Sequence, residues 1–200
     1  LPHKEMIKIG LTGGIGNGKT TVAKLFKEKD VPLFIADVEA KKILDTPGIA
    51  SKVASTFNVK LTAEGTVNKP ELASIVFNDK KALDVLNSII HPEVHQHYQH
   101  WLIRQKSSYI IYEAAIIFEK DRASDFDYTI LVTAPEHLRI ERVMKRDNVD
   151  SEDIKSRMKA QWPEARKKKL ADFCIENINI QETRQQVNKL HEKFISISDK

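Results

Sequence analysis

Eight consecutive residues constrain this chain more than any others: Gly13-Gly14-Ile15-Gly16-Asn17-Gly18-Lys19-Thr20. The string fits G-x-x-x-x-G-K-[ST] without a mismatch. Its glycines let the backbone turn tightly enough for successive N–H groups to point inward at phosphate oxygens. The lysine brings a mobile positive charge to the β- and γ-phosphates, and the threonine hydroxyl suits a magnesium ion. Residues 6–12 (MIKIGLT) lead in as a short apolar run, the pattern of a buried parallel strand. Residues 20–29 lead out with Val22, Ala23, Leu25 and Phe26 at helical spacing. The emerging helix adds its N-terminal dipole to the loop. A glycine-rich turn without a ligand is the bland alternative; strand in and helix out argue for a bound nucleoside triphosphate.

Further along, residues 31–36 (VPLFIA) read as a second strand and residues 37–44 as a helix. Strand, helix and strand within about thirty residues make a βαβ unit, hence a right-handed crossover and a parallel sheet. Residues 70–105 are helical almost throughout, with a break expected at His91-Pro92, where proline can begin a new helix. Strand character returns at residues 109–112 and 128–132, and residues 173–175 make a last short strand. Residues 135–146 and 151–168 read as charged helices and residues 181–194 as the closing one. The pattern, with its glycine string, predicts an α/β doubly wound core, a five-stranded parallel sheet of P-loop type, with a helical lobe inserted in the middle. There is no internal repeat and no low-complexity segment.

With 41% hydrophobic residues, a chain of 200 can bury one core, so a single domain with a small inserted lobe is expected. Its 32 Lys and Arg against 28 Asp and Glu give a net charge of +4. Residues 139–169 hold 11 basic and 6 acidic side chains, a local +5, so the remainder is near neutral. Such a stretch suits a phosphate-rich ligand or a solvated charged helix. Nucleic-acid binding would need aromatic stacking platforms, and this stretch offers only Trp162. The one cysteine, Cys174, rules out an internal disulfide framework and fits a reducing, cytoplasmic compartment. Its apolar neighbours Phe173 and Ile175 predict a buried structural thiol. No apolar run approaches the roughly 18 residues of a membrane span. Charged residues interrupt the place where a secretory signal would lie, and Met6 is the expected natural start.

Transfer of a γ-phosphate needs an acceptor, a group to orient or deprotonate it, a magnesium-side carboxylate and positive charge. Asp37, at the carboxyl end of the second strand, is placed to take a proton from an attacking hydroxyl. It also begins a helical stretch, so a role as helix N-cap stays open, and the two can coexist. Glu113 follows Tyr109-Ile110-Ile111-Tyr112 and is either a second magnesium-side carboxylate or an exposed loop acid. Arg139, Arg142 and Arg146 stand at i, i+3 and i+7 on one helix face, with Arg157 on the next helix. They suit a lid that closes over phosphates, or else a solvated face paired with Glu141 and Asp147. His91, His95, His97 and His100 invite a metal site, but no cysteine or carboxylate set completes one. His91 is better read as a structural or substrate-side residue.

These residues together resemble the dephospho-coenzyme A kinases, from residue 6 to about residue 190. Gly10-Leu11-Thr12-Gly13-Gly14-Ile15-Gly16-Asn17-Gly18-Lys19-Thr20-Thr21-Val22-Ala23 is similar to that family's opening, and its Thr-Gly-Gly-Ile-Gly lead-in is more specific than a generic phosphate loop. Ala36-Asp37, Leu86-Asn87, His91-Pro92 and Ile116-Ile117-Phe118-Glu119 follow in family order. Residues 142–146 and 157–161 resemble its lid, and Ala171-Asp172 with Asn177 its nucleotide-proximal end.

The resemblance implies transfer of the ATP γ-phosphate to the ribose 3′-hydroxyl of dephospho-coenzyme A, giving coenzyme A and ADP. Asp37, Lys19 and Arg142 would carry the chemistry. ATP would lie against Gly14, Ile15, Gly16, Asn17, Gly18, Lys19, Thr20 and Thr21, with Arg142, Arg146 and Asn177 completing its site. The acceptor would meet Thr12, Asp37, Lys41 and His91, together with Phe118, Glu119, Arg157 and Gln161. Mg2+ would take Thr20 and Glu113. Residues of about 61–106 would form the substrate lobe and about 139–164 the lid, on a core of 6–60, 107–138 and 165–200. The expected partner is the small-molecule acceptor, with no nucleic acid and no membrane, in a monomer or weak homo-oligomer.

Departures from the family pattern are Ile35 for a second aspartate, Lys41 for arginine, Glu113 for aspartate and Ala115 for proline. Asn17 and Thr20 are milder changes. Because Glu113 keeps a carboxylate and Lys41 a charge, altered distances are expected rather than lost activity. The nearest rival is a P-loop kinase for another small molecule, such as a nucleoside or nucleotide. A GTP-dependent switch is a more distant one. It would read guanine through Asn-Lys-x-Asp, and Asn68-Lys69-Pro70-Glu71 falls in the wrong region and lacks the aspartate.

Overall fold

The apolar run that precedes the glycine string becomes β1 (Ile7–Thr12), the central strand of the sheet. The computed structural model describes residues 6–77 and 79–199; the residues placed ahead of the expected start, 1–5, lie outside these. β1 pairs in parallel with β3 (Tyr109–Glu113) on one side and β4 (Tyr128–Thr133) on the other. β2 (Leu33–Ile35) lies outside β3 and β5 (Phe173–Glu176) outside β4, giving the order β2-β3-β1-β4-β5, all parallel. Every residue of β3 is buried, and all of β4 but Tyr128. Strands covered on both faces read as continuous apolar runs for that reason.

α1 (Lys19–Lys27) and α9 (Ile180–Ser198) cover one face of this sheet. Val22, Leu25 and Phe26 of α1 meet Ile9, Leu11, Tyr109 and Ile111, and Val187 and Phe194 of α9 join them. Tyr109 sits 5.3 Å from Phe194 and hydrogen-bonds through its hydroxyl to Nδ1 of His191 at 2.7 Å. Burial raises its phenol above the usual tyrosine range. Side chains alternate along a strand, so Tyr112 points to the opposite face, where it stacks on Phe34 and meets Phe126, each at 5.3 Å. α6 (Glu136–Asp147) and α7 (Ser151–Lys159) follow β4 and pack on each other, and α8 (Glu164–Lys168) packs on β4. In this unit, residues 6–35 and 106–199, all five strands end at one edge. The loop after β1 leaves the sheet between β3 and β4, where the chain switches sides and where such sheets bind ligands.

Residues 36–105 form a second, helical unit. α2 (Ala36–Leu44), α3 (Pro47–Phe57) and α4 (Lys69–Val76) pack against α5 (Lys80–Leu102), and one antiparallel bridge joins Leu61 to Val67. The expected break at His91-Pro92 is absent: α5 runs through Pro92 for 23 residues. An interior proline removes a hydrogen bond and usually costs about 3 kcal/mol. Here Ile89, Ile90, Val94 and Tyr98 are buried on both sides of it, and that continuous apolar stripe offsets the loss. The helix begins instead after Asp79, whose carboxylate accepts from the N–H groups of Lys81 (2.8 Å) and Ala82 (3.3 Å).

Three other expectations are corrected. The helix read over 151–168 divides into α7 and α8, with Pro163 as the residue that starts α8. β2 is three residues long because Ala36 already belongs to α2. Cys174 is exposed, not buried: on the edge strand β5 alternation turns Ile175 inward and Cys174 outward. No helix among the described residues is long and apolar enough to cross a membrane.

Pro92→Ala restores an N–H within reach of the Ser88 carbonyl. It should raise the stability of the helical unit by about 1–3 kcal/mol, read as a higher urea midpoint. A lower midpoint would show that α5 depends on the proline.

Candidate active site

The loop from β1 into α1 is held against its neighbours on several sides. Gly16 (φ 79°) and Gly18 (φ 82°) are in the left-handed region that favours glycine. A Cβ on Gly18 would stand 2.1 Å from Nδ2 of Asn177, and one on Gly16 2.5 Å from the Arg139 carbonyl oxygen. Within the loop, the Asn17 N–H donates to the Gly14 carbonyl at 3.2 Å. Nζ of Lys19 donates to the Gly13 carbonyl at 2.9 Å, which holds the ammonium at the mouth of the turn. Thr20 and Thr21 are exposed on the first turn of α1. At the end of β1 the buried Thr12 hydroxyl donates to the Ala115 carbonyl at 3.2 Å.

Asn17, expected to lie against ATP, is also a bracket. Its side chain is 1% exposed. Nδ2 donates to the Val132 carbonyl of β4 (2.9 Å) and to Oε2 of Glu164 in α8 (3.2 Å). Its carbonyl accepts from Nδ2 of Asn177 at 2.9 Å, and Oδ1 of Asn177 accepts from the Thr183 hydroxyl at 3.0 Å. Oδ1 of Asn17 is buried without a hydrogen-bond partner among the described residues.

The helical arginines separate. Arg139 lies over the loop, its Nε–H donating to the Ile15 carbonyl at 3.0 Å. Burial lowers its guanidinium pKa, against the opposing pull of Glu164 and Glu136. Gln161 joins it, Oε1 accepting from the Ile15 N–H at 2.9 Å. Arg142 turns to the connection between β5 and α9, where Nη2 donates to the Ile178 carbonyl at 3.1 Å. Its Nη1 is buried without a hydrogen-bond partner among the described residues. Arg146 pairs with its neighbour Asp147, and Arg157 stands 3.8 Å from the same carboxylate. Of the four, Arg139 and Arg142 reach the loop or the strand ends, while Arg146 and Arg157 meet near the α6–α7 connection. A cleft of about 540 Å³ opens between Gly14, Arg139, Gln161, Glu164, Trp162 and Lys167.

Other expected residues divide between the two units. Glu113 closes β3 at 4% exposure, in register with Leu11 and Ile35, so it is a buried strand-end carboxylate and not an exposed loop acid. Phe118 is buried, and Glu119 beside it ion-pairs with Lys167 of α8. Lys167, 2% exposed in its side chain, went unread because it lies in the run Arg166-Lys167-Lys168-Lys169, where nothing local singles out one lysine. Asp37, Lys41 and His91 belong to residues 36–105 and are exposed there. Asp37 is the second residue of α2 and not its cap; a carboxylate in a first turn still favours the helix dipole. His97 meets Glu39 at 3.0 Å, and no group of three or more metal-ligating side chains occurs among the described residues.

A family model described as dephospho-CoA kinase matches residues 7–182. A dephospho-CoA kinase of Bacteroides fragilis is 37% identical over 173 residues, covering 86% of this chain and 84% of that one. One from Shewanella oneidensis is 33% identical over 95% and 94% of the two chains. Among solved structures, a dephospho-CoA kinase from Campylobacter jejuni superposes with a TM-score of 0.66 at 26% identity, over 94% of this chain and 97% of that one. The protein TT1252 from Thermus thermophilus reaches 0.86 at 31% identity, with the same coverage. A shikimate kinase from Acinetobacter baumannii, 14% identical with a TM-score of 0.55, covers 96% and 95% of the chains and shares the fold.

The buried Glu119–Lys167 pair gives a direct test. Removing one partner leaves an uncompensated buried charge, so Lys167→Met should cost about 3–5 kcal/mol in urea unfolding. Glu119→Leu added to it should recover most of the loss; independent additive losses would mean that the two groups do not act as a pair.

Proposed function

This chain belongs to the dephospho-CoA kinase family, and on that premise we propose that Lys19, Asp37 and Arg142 carry phosphate from ATP to the ribose 3′-hydroxyl of dephospho-coenzyme A. It is a kinase, and its family performs the last step of coenzyme A biosynthesis. The observation that supports the site assignment best is the loop itself. Its backbone admits no Cβ at Gly16 or Gly18, and its lysine is already held at the mouth of the turn. Such donors need little reorganisation when charge develops on the transferred group.

In this reading residues 14–21 receive the ATP phosphates. Lys19 follows the charge that grows between the β- and γ-groups. Arg142 offers its buried, unpartnered Nη1 beside the strand ends, and Asn177 braces the loop from below. Asp37 takes the proton from the 3′-hydroxyl as its oxygen bonds to the γ-phosphorus and the bond to ADP breaks. Thr20 and Glu113 are hard oxygen donors of the kind Mg2+ takes. Those two residues would hold the ion, which would supply positive charge to offset that of the phosphates. Thr12, Lys41, His91, Phe118, Glu119, Arg157 and Gln161 are assigned to the acceptor, and Arg146 to the nucleotide.

We read residues of about 61–106 as the acceptor lobe and about 139–164 as the lid. A single cysteine fits a cytoplasmic location, and we expect a monomer or weak homo-oligomer.

The first experiment is ADP release with Mg-ATP, with dephospho-coenzyme A, adenosine or AMP as acceptor. Stimulation by dephospho-coenzyme A, with a product one phosphate heavier, supports the assignment; stimulation only by another acceptor overturns it and keeps a kinase of different specificity. Asp37→Asn should lower kcat by about two to four orders of magnitude with ATP binding kept; near-normal kcat reduces Asp37 to a structural residue. Lys19→Ala should lower kcat by about two to three orders of magnitude at an unchanged urea midpoint. Full activity in that variant would remove the loop from the mechanism.

A further inference from the structure

We propose that Arg139 is a further guanidinium that meets the terminal phosphate of the bound nucleotide, and that Glu164 is the positioning residue that aims it. The proposal rests on the reading of residues 13–20 as the nucleotide cradle.

Arg139 is built into the apex of the loop through both its backbone and its side chain. A Cβ on Gly16 would meet its carbonyl oxygen at 2.5 Å, and one on Gly14 its Nη2 at 2.6 Å. Its Nε–H is anchored on the Ile15 carbonyl at 3.0 Å. This anchor fixes the plane of the fork and leaves the Nη groups beside Gly14, where the cleft of about 540 Å³ begins. Arg142, on the same helix face, is directed elsewhere: its Nη2 donates to the Ile178 carbonyl beyond β5.

The charge of Arg139 is under-compensated. Its side chain is 12% exposed, yet its nearest carboxylate oxygen, Oε2 of Glu164, stands at 3.8 Å, beyond hydrogen-bonding length. A nearly buried cation with a distant counter-charge is stabilised by an anion that arrives beside it. Lys155 and Lys159 line the same cleft from α7 and reinforce its sign. Planar guanidinium forks bind phosphate oxygens in pairs, which an ammonium cannot do.

Glu164 is placed to hold this arrangement without touching the phosphates. Oε2 accepts from Nδ2 of Asn17 at 3.2 Å, beneath the loop, and faces Arg139 above it. Asn17, Glu164, Arg139 and Ile15 therefore close a circuit around the turn. A carboxylate at 3.8 Å attracts the guanidinium without saturating its donors.

The test compares binding of a non-hydrolysable ATP analogue with binding of ADP, in the presence of Mg2+ and without acceptor. Arg139→Ala should weaken the ATP analogue by about 10- to 100-fold, the range of a hydrogen bond to a charged group, with ADP affinity within twofold of wild type. Arg139→Lys should recover part of the loss. Glu164→Gln keeps an acceptor for Asn17 and removes the charge, so it should shift the same ratio in the same direction by a smaller factor. In the Arg139→Ala background it should add nothing.

Equal losses for both nucleotides, or no loss, would overturn the role of Arg139; an additive effect of Glu164→Gln would overturn positioning through it. Should Arg139→Ala fail to fold, Arg139→Lys and Glu164→Gln decide by the same ratio. Wild-type protein that binds neither nucleotide would overturn the cradle reading itself. If wild type binds nucleotide but prefers another acceptor, only the acceptor assignment falls, and the ATP-to-ADP ratio still decides Arg139.

Discussion

The turn from β1 into α1 brings backbone so close to α6 and to the β5–α9 connection that two of its positions exclude a side chain. That closeness follows from the sheet. A parallel strand at the centre must leave its partners at the carboxyl edge, and β1 is flanked there by β3 and β4. The loop thus emerges between two strand ends, in a space that the sheet has already defined. α1 then returns along the sheet because Val22, Leu25 and Phe26 have the β1 and β3 side chains to pack on. The shape of the loop is therefore a consequence of core packing as much as of its glycines.

How the cradle is braced explains the division among the basic residues. A solvated charged helix would leave its arginines in equivalent surroundings. Instead Arg139 reaches the loop carbonyl, Arg142 a carbonyl beyond β5, and Arg146 an adjacent carboxylate. Helical spacing puts the three on one face, but each side chain is longer than the distance between turns, so its partner is chosen by what lies nearby in the tertiary structure.

The legible part of the sequence was the part governed by local physics. Continuous apolar runs marked β1, β3 and β4, and the glycine string with its following amphipathic run marked the loop and α1. Glu113 was placed at a strand end by the same pattern. Where long-range contacts decide, the local signal failed. Pro92 reads as a break until Ile89, Ile90, Val94 and Tyr98 are known to share a buried face. Cys174 reads as buried until β5 is known to be an edge. Lys167 and Glu164 sit in a charged stretch, and their importance depends on Glu119 and Asn17, more than forty and more than a hundred residues away. α3 escaped notice because Pro47 and Gly48 at its start read as a turn, although Ile49, Ala50, Val53, Ala54 and Phe57 behind them stand at helical spacing.

The ion pair of Glu119 and Lys167 bears on specificity more than on stability. Burying two charges costs about as much as their attraction returns, and an apolar pair of similar volume would hold the core as well. What an apolar pair could not do is fix direction. The pair ties the short 3-10 turn after β3, Phe118–Lys120, to the helix that also carries Glu164. Glu164 and Lys167 stand three positions apart, close to one turn, so one short element carries both the partner of Glu119 and the carboxylate facing Arg139. The turn after β3 and the guanidinium at the apex of the glycine loop are thereby linked through two side chains and one short helix.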